Sequence, residues 1–183
     1  MKDIMKHTKL VFILTVAFFS FLPLSAQEID KTRFLVLSQP NEFKYNLDSK
    51  NNRVVITGLT AIPDCSFSII IPEMIGGLPV TMIDKSAFAR CQGLISLRLP
   101  NSLKFIEHDA FFACEALETV YFPKRKELFL GNFCFANCTS LKEVVIPDGI
   151  EIAGDVPHFQ FDGCTSLSSK SKSILRKFYF NVD

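Results

Sequence analysis

Between Ile83 and Leu167 the chain reads IDKSAFARCQGLISLRLP (83–100), IEHDAFFACEALETVYFP (106–123), LGNFCFANCTSLKEVVIP (130–147) and VPHFQFDGCTSL (156–167). One pattern is written three times in full and once in part. Cys91, Cys114, Cys138 and Cys164 set its register at intervals of 23, 24 and 26 residues. Eight positions before each cysteine stand Ile83, Ile106, Leu130 and Val156; three before stand Phe88, Phe111, Phe135 and Phe161; three after stand Leu94, Leu117, Leu141 and Leu167. Six and eight after come the pairs Leu97/Leu99, Val120/Phe122 and Val144/Ile146.

A period in the twenties with recurring leucines is the mark of a leucine-rich solenoid, whose units bury their apolar sides only by stacking. The paired residues six and eight after the cysteine have period two, so each unit holds a short strand with alternate residues inward. Pro100, Pro123 and Pro147 end these strands, since proline cannot donate to a ladder. The segment from Ile83 to Leu94 lacks clean alternation and is expected to turn through short helical or 3₁₀ pieces. With 19 phenylalanines and no tryptophan, the chain is expected to build one core wall from stacked phenylalanines.

Outward from the repeats, Phe43, Tyr45 and Leu47 alternate with polar residues, Asp48–Asn52 supplies turn chemistry, and Val54 and Ile56 resume the alternation. This is a β-hairpin with a longer loop, suited to cap the open first coil of a solenoid. Residues 59–80 read as an irregular first coil, with Cys65 in cap packing. At the other end Leu167, Ile174, Leu175 and Phe178 make a helical stripe opposite Lys170, Lys172, Arg176 and Lys177. A C-terminal cap is the reading adopted; a basic amphipathic helix on a membrane surface is the alternative. The expected fold is an α/β repeat solenoid: a short right-handed leucine-rich-repeat superhelix with a parallel β-sheet, an N-terminal hairpin cap and a C-terminal helical cap.

Lys2, Lys6 and Lys9 precede an apolar run, Leu10–Leu24, and then Ser25-Ala26. That is the form of a secretory signal peptide, with an uncleaved anchor as the alternative; the run is shorter than the roughly 20 residues of a membrane span. The expected organisation is a signal peptide over 1–26, the cap over 27–58, repeats over 59–167 and the helical cap over 168–183. The mature chain is then secreted, periplasmic or on the cell surface, with no membrane span of its own. Loss of residues 1–26 removes three of 20 basic residues and one of 19 acidic ones, leaving a net charge of −1. That balance lacks the footprint of a nucleic-acid binder.

Six cysteines in an exported chain suggest disulfides. Four of them, however, occupy one register between an aromatic and a leucine, which reads as a ladder of small buried hydrophobes. Bridging between adjacent coils is the alternative, though parallel side-chain vectors would give it poor geometry. Cys134 fills the small core slot held elsewhere by Ala87 and Ala110, so Cys134 and Cys138 are not read as half a metal site. His108 and His158 read as surface residues, without a nucleophile elbow or ligand spacing. No cofactor, metal site or catalytic set is expected.

The sequence resembles the BspA-type leucine-rich repeats of bacterial surface and secreted proteins. The motif L-x-L-P, a variable turn, then I-x-x-x-A-F-x-x-C-x-x-L is carried by LRLPNSLKFIEHDAFFACEAL at Leu97–Leu117. The resemblance covers Ile69–Leu167 and departs at Cys134, where the motif has alanine, and in the spacing before Val156. It implies a curved solenoid that binds proteins or other macromolecules, and not an enzyme.

If Leu97 and Leu99 point inward, Ser96 and Arg98 point outward. The same logic exposes Ser68 and Ile70, Thr119 and Tyr121, and Glu143 and Val145. Two columns result, Ser68–Ser96–Thr119–Glu143 and Ile70–Arg98–Tyr121–Val145. The second holds the arginine and tyrosine that enrich binding hot spots, and solenoids bind through such faces; an ordinary sheet surface is the alternative. The expected ligand set is Ile70, Ser96, Arg98, Thr119, Tyr121, Glu143 and Val145, facing a protein of the host or the envelope. A structural, self-associating role and glycan binding with Tyr121 as the stacking platform are the other readings.

Overall fold

The computed structural model describes residues 35–155 and 158–182; residues 1–26, expected as a signal peptide, the first residues of the expected cap and Val156 lie outside them. Among the described residues twelve strands and one α-helix are formed: β1 Leu35–Leu37, β2 Phe43–Asp48, β3 Arg53–Leu59, β4 Phe67–Ile70, β5 Met74–Ile75, β6 Leu78–Ile83, β7 Leu94–Arg98, β8 Phe105–Ile106, β9 Thr119–Tyr121, β10 Glu127–Leu130, β11 Glu143–Val145, β12 Glu151–Gly154 and α1 Ser169–Arg176. A single 3₁₀ turn, Pro40–Glu42, precedes β2.

The strands sort into two sheets. The first has the order β1-β4-β7-β9-β11, parallel throughout; the second has the order β12-β10-β8-β6-β3-β2, parallel except for the hairpin β2–β3. Strands of the two sheets alternate along the chain from β4 onward, so each coil visits the first sheet, turns at its proline, crosses the second and returns. The repeat solenoid expected from the cysteine register is present.

The return limb is not helical. Between Ile83 and Leu94 it is a chain of single turns, closed by N–H groups of Ala87, Ala89, Cys91 and Leu94 donating to carbonyls three residues back. Ser86 and Arg90 hold φ of 56° and 60°, and Asp109, Ala113, Phe133 and Asn137 repeat this in later coils at 54–58°. A left-handed residue every fourth position stops a helix from propagating. It also turns alternate backbone N–H groups toward the next coil: Ser86, Phe88 and Arg90 donate to the carbonyls of His108, Ala110 and Phe112 at 3.1, 2.8 and 2.7 Å. The return limbs are thereby laddered as the strands are. In the last coil the position before the cysteine is Gly163, at φ 71°, where the conformation costs least.

All three limbs point their apolar residues into one core. Leu97, Val120 and Val144 come from the first sheet, Ile83, Ile106 and Leu130 from the second, and Phe88, Phe111 and Phe135 from the return limbs, with Leu94, Leu117 and Leu141 at the passage from return limb to first sheet. Phe88, Phe111, Phe135 and Phe161 form a column with ring centroids 5.0, 5.1 and 5.3 Å apart and planes within 10° of parallel. Phe43 of the hairpin meets Phe88 edge-on at 6.5 Å, and Phe180 tilts against Phe161 at 5.5 Å. Each end of the column is therefore covered by an aromatic from outside the repeats.

The cysteines are free, and those of the ladder are buried. The thiols of Cys114, Cys138 and Cys164 each donate to the carbonyl of the phenylalanine one coil back, Phe88, Phe111 and Phe135, at 3.1, 3.3 and 3.1 Å. The thiol is thus a packing group with a donor, which explains its choice over alanine at a crowded, carbonyl-rich position. Burial pushes the Cys91 thiol up to about 12 and raises Cys134 as well; the neighbouring Cys114 and Cys164 thiols, with burial, raise Cys138. Cys65, expected in cap packing, is exposed instead.

The hairpin occupies the expected residues, with Asp48 accepting from Asn51 and Arg53 across the turn. Only Phe43 of its outer strand is buried; Tyr45 and Leu47 face inward but lie at the sheet's edge, where no coil covers them. At the other end the hydroxyl of the buried Ser171 on α1 accepts from Val144 N–H at 3.1 Å and donates to Lys142 carbonyl at 3.0 Å. The helix closes the edge of β11 by standing in for a further strand. Leu175, Phe180 and Val182 are buried beneath it, while Ile174 and Phe178 are half-buried.

Candidate functional site

The outward positions of the first sheet fall in register. Ser68 pairs with Ser96, Ser96 with Thr119 and Thr119 with Glu143; Ile70 pairs with Arg98, Arg98 with Tyr121 and Tyr121 with Val145. All seven expected residues thus lie on one face, as two adjacent columns. Ile70 and Val145 are each 41% exposed, Arg98 and Glu143 are exposed, and Ser96, Thr119 and Tyr121 are half-buried. The register follows from the core: a slip of one residue would turn Leu97, Val120 and Val144 to solvent.

In-register neighbours lie about 4.8 Å apart, and Arg98 uses this to lay its guanidinium over the Tyr121 ring, 4.5 Å from the centroid. Beyond the strand ends the second column opens into a groove of about 480 Å³, bounded by Ile70, Arg98, Tyr121 and Val145 and by Pro72, Pro100 and Pro147. Its far wall is a relay of turn bonds. The Glu73 carboxylate accepts from the Asn101 and Ser102 backbone N–H groups at 2.7 and 2.9 Å, and the Asn101 side-chain oxygen accepts from the Lys124 N–H at 2.8 Å. Partial burial pushes the Glu73 carboxyl upward, but these donations outweigh it and hold the group below its usual range. Near the other column Lys142 and Glu118 pair at 3.2 Å on the exposed surface, where such a pair contributes little.

Two features escaped the sequence reading. Met82, Phe105 and Phe129 form an outward apolar column on the second sheet, with the two phenylalanine rings 6.2 Å apart. The signal was present: each is the residue nine before a ladder cysteine. A depression of about 510 Å³ adjoins Phe105 and Phe129. The other is the turn Lys124–Lys126, whose three basic residues follow Pro123 at the rim of the groove. Arg125 anchors that turn by donating to the Ser102 carbonyl at 3.0 Å.

Among the described residues no group of three or more histidine, cysteine, aspartate or glutamate side chains is arranged to hold a metal ion. His108 is exposed, 3.5 Å from the Asp155 carboxylate. His158, expected on the surface, is half-buried beside the Phe180 ring. No helix among the described residues is long and apolar enough to cross a membrane.

Comparison with known structures places the same fold in bacterial repeat proteins. The chain superposes on a leucine-rich repeat protein from Bacteroides capillosus with a TM-score of 0.53 at 22% identity, over 70% of this chain and 94% of that one. A leucine-rich repeat protein from Bacteroides ovatus gives 0.52 at 23% identity, over 69% of this chain and 39% of that one. A leucine rich cell surface protein from Faecalibacterium prausnitzii gives 0.52 at 22%, over 70% and 40%. The chain therefore spans about two fifths of the latter two. No curated protein sequence matches it. The profile of the BspA type leucine rich repeat region matches in six copies over residues 63–173, taking in the irregular first coil and the start of α1. By that match the chain belongs to the BspA-type leucine-rich repeat family.

Proposed function

We propose that this chain is an exported, non-enzymatic binding module that takes a protein partner on the outward face of its first sheet. The observation that carries the reading is the column Ile70–Arg98–Tyr121–Val145. Four adjacent parallel strands present two exposed aliphatic residues around a stacked arginine–tyrosine pair, beside a groove. Buried arginine and tyrosine anchors ringed by apolar contacts dominate the energetics of protein interfaces. Export is supported by the basic and apolar pattern of residues 1–26, and a secreted, periplasmic or cell-surface location follows from it. Glycan recognition through Tyr121 is disfavoured, because one face of the ring that a sugar would stack on is occupied by the guanidinium.

The test is capture of proteins from envelope and host extracts by the purified chain and by an Arg98→Glu/Tyr121→Ala variant. Loss of a captured protein by a variant with an unaltered melting curve is the expected result. Capture that survives both substitutions counts against this face. A second reading, self-association, is favoured by the apolar column Met82–Phe105–Phe129 on the second sheet. It expects a concentration-dependent dimer in sedimentation that Phe105→Glu abolishes.

A further inference from the structure

The charged groups of the groove are unequally satisfied. The guanidinium of Arg98 lies over Tyr121 and has no hydrogen-bond acceptor or carboxylate partner among the described residues. A contact with a ring face takes up no hydrogen-bond acceptor, so the guanidinium keeps N–H donors for pairing with a carboxylate. Lys124, also on the groove and exposed, has its backbone N–H bound to Asn101 and, among the described residues, no ion pair on its side chain. The groove's one carboxylate, Glu73, is engaged by three donations, from the backbone and side-chain nitrogens of Asn101 and from the Ser102 N–H. Among the described residues lining the groove, two cations therefore lack a protein partner, set among Ile70, Val145 and prolines, and the one acid, Glu73, is already engaged; the exposed Glu143 stands in the neighbouring column, outside the groove.

We infer that the face described above binds an extended acidic segment of its protein partner, a carboxylate pairing with Arg98 and a second lying near Lys124 while apolar residues cover Ile70 and Val145. The inference rests on the protein-binding reading and names its chemistry. From β4 to β11 the column crosses three inter-strand intervals, about 14 Å at ~4.8 Å each, which four or five extended residues span at ~3.3 Å per residue.

The experiment is titration of the ¹⁵N-labelled chain with the pentapeptide acetyl-PEVEP-amide, its lysine counterpart acetyl-PKVKP-amide, the glutamine counterpart acetyl-PQVQP-amide and a heparin-derived hexasaccharide. The acidic peptide is expected to shift the Arg98 side-chain N–H and the amides of Tyr121 and Val145. It should bind about tenfold tighter than the other two peptides, and added salt should weaken it. Arg98→Glu should remove that preference and Lys124→Glu should reduce it; both sites are exposed, and a melting curve checks each variant. Equal binding of all three peptides at these residues overturns the acidic preference while leaving the face as an interface. Shifts confined to Met82, Phe105 and Phe129 overturn both readings. Tighter binding of the hexasaccharide, or no shift with the acidic peptide, overturns the inference.

Discussion

Phe111→Ala tests the packing that positions everything else. The ring is wholly buried and sits 5.0 Å from Phe88 and 5.1 Å from Phe135, within 4° and 2° of parallel. Truncating a buried phenylalanine to alanine costs about 3–5 kcal/mol in lost transfer energy and cavity formation. Each stacked pair adds about 0.5–1.5 kcal/mol beyond area burial, and Phe111 has two, so the upper part of that range is expected. Phe111→Leu keeps most of the volume and forfeits the stacking, for a cost of about 1–3 kcal/mol. At roughly 2–4 °C per kcal/mol for a domain of this size, the alanine variant should melt about 10–20 °C lower. Urea unfolding followed by far-ultraviolet circular dichroism reads the free energy, with the slope checked against the parent so that an altered unfolded state is not mistaken for lost packing. A cycle of Phe111→Leu and Phe135→Leu isolates the shared pair, with an expected coupling of about 0.5–1.5 kcal/mol. An alanine variant within about 1 kcal/mol of the parent, or leucine substitutions that simply add, would refute the stacked column as a source of stability.

Three further outcomes follow from the same geometry. A thiol reagent should titrate one cysteine in the native chain, the exposed Cys65, and the remaining five only after unfolding; reaction of a ladder thiol under native conditions would contradict the burial. Because the folded chain holds Cys91 at about 12 against an ordinary value of 9.0, with Cys134 and Cys138 also raised, it keeps protons that the unfolded chain releases. Stability is therefore full below about pH 9 and falls as pH rises from there toward 12. Urea midpoints from pH 7 to 10.5 should decline, and Cys91→Ala should flatten part of that decline; an identical slope in the variant would remove the thiol from the account. Ser171→Ala strips the edge of β11 of its partner and leaves the Val144 N–H buried, at a cost of about 1–3 kcal/mol. Hydrogen exchange at Val144 should accelerate with it, and unchanged protection there would mean that the helix does not close the sheet.

The cysteine frame made most of the first sheet legible. Constant offsets from Cys91, Cys114 and Cys138 carried the strand pairs, and the prolines marked their ends, so the register of Ser96 with Thr119 and of Arg98 with Tyr121 could be written before any coordinates. The return limbs were less legible because their conformation depends on positive φ at Ser86, Arg90, Ala113 and Asn137. Those residues share no side-chain type, so nothing in their identities announces a left-handed turn. The second sheet was hidden for a different reason. Its strand β8 has two residues, Phe105 and Ile106, and two residues cannot show an alternation; only the recurrence of an apolar neighbour before Ile83, Ile106 and Leu130 carried the signal.

The binding face inherits its precision from the core. Leu97, Val120 and Val144 are each fully or almost fully buried, so the residues beside them have no freedom to change columns, and Arg98 must stand next to Tyr121. What the pattern could not supply was the direction of the arginine. A guanidinium reaching across to the Glu143 column would have left the tyrosine ring open and favoured a sugar. Lying over the ring, as it does, it covers one ring face at the edge of the groove and keeps donors for a carboxylate. That choice depends on side-chain torsions and on the absence of a competing acid in the column, since Glu73 is tied to the next coil's turn. Arg98→Lys discriminates the two arrangements: an ammonium keeps the charge but cannot stack flat or pair bidentately. If the planar, stacked guanidinium sets the preference for an acidic segment, the lysine variant should lose most of the selectivity seen with Arg98 while remaining folded. Full retention of selectivity by lysine would assign the preference to net charge alone.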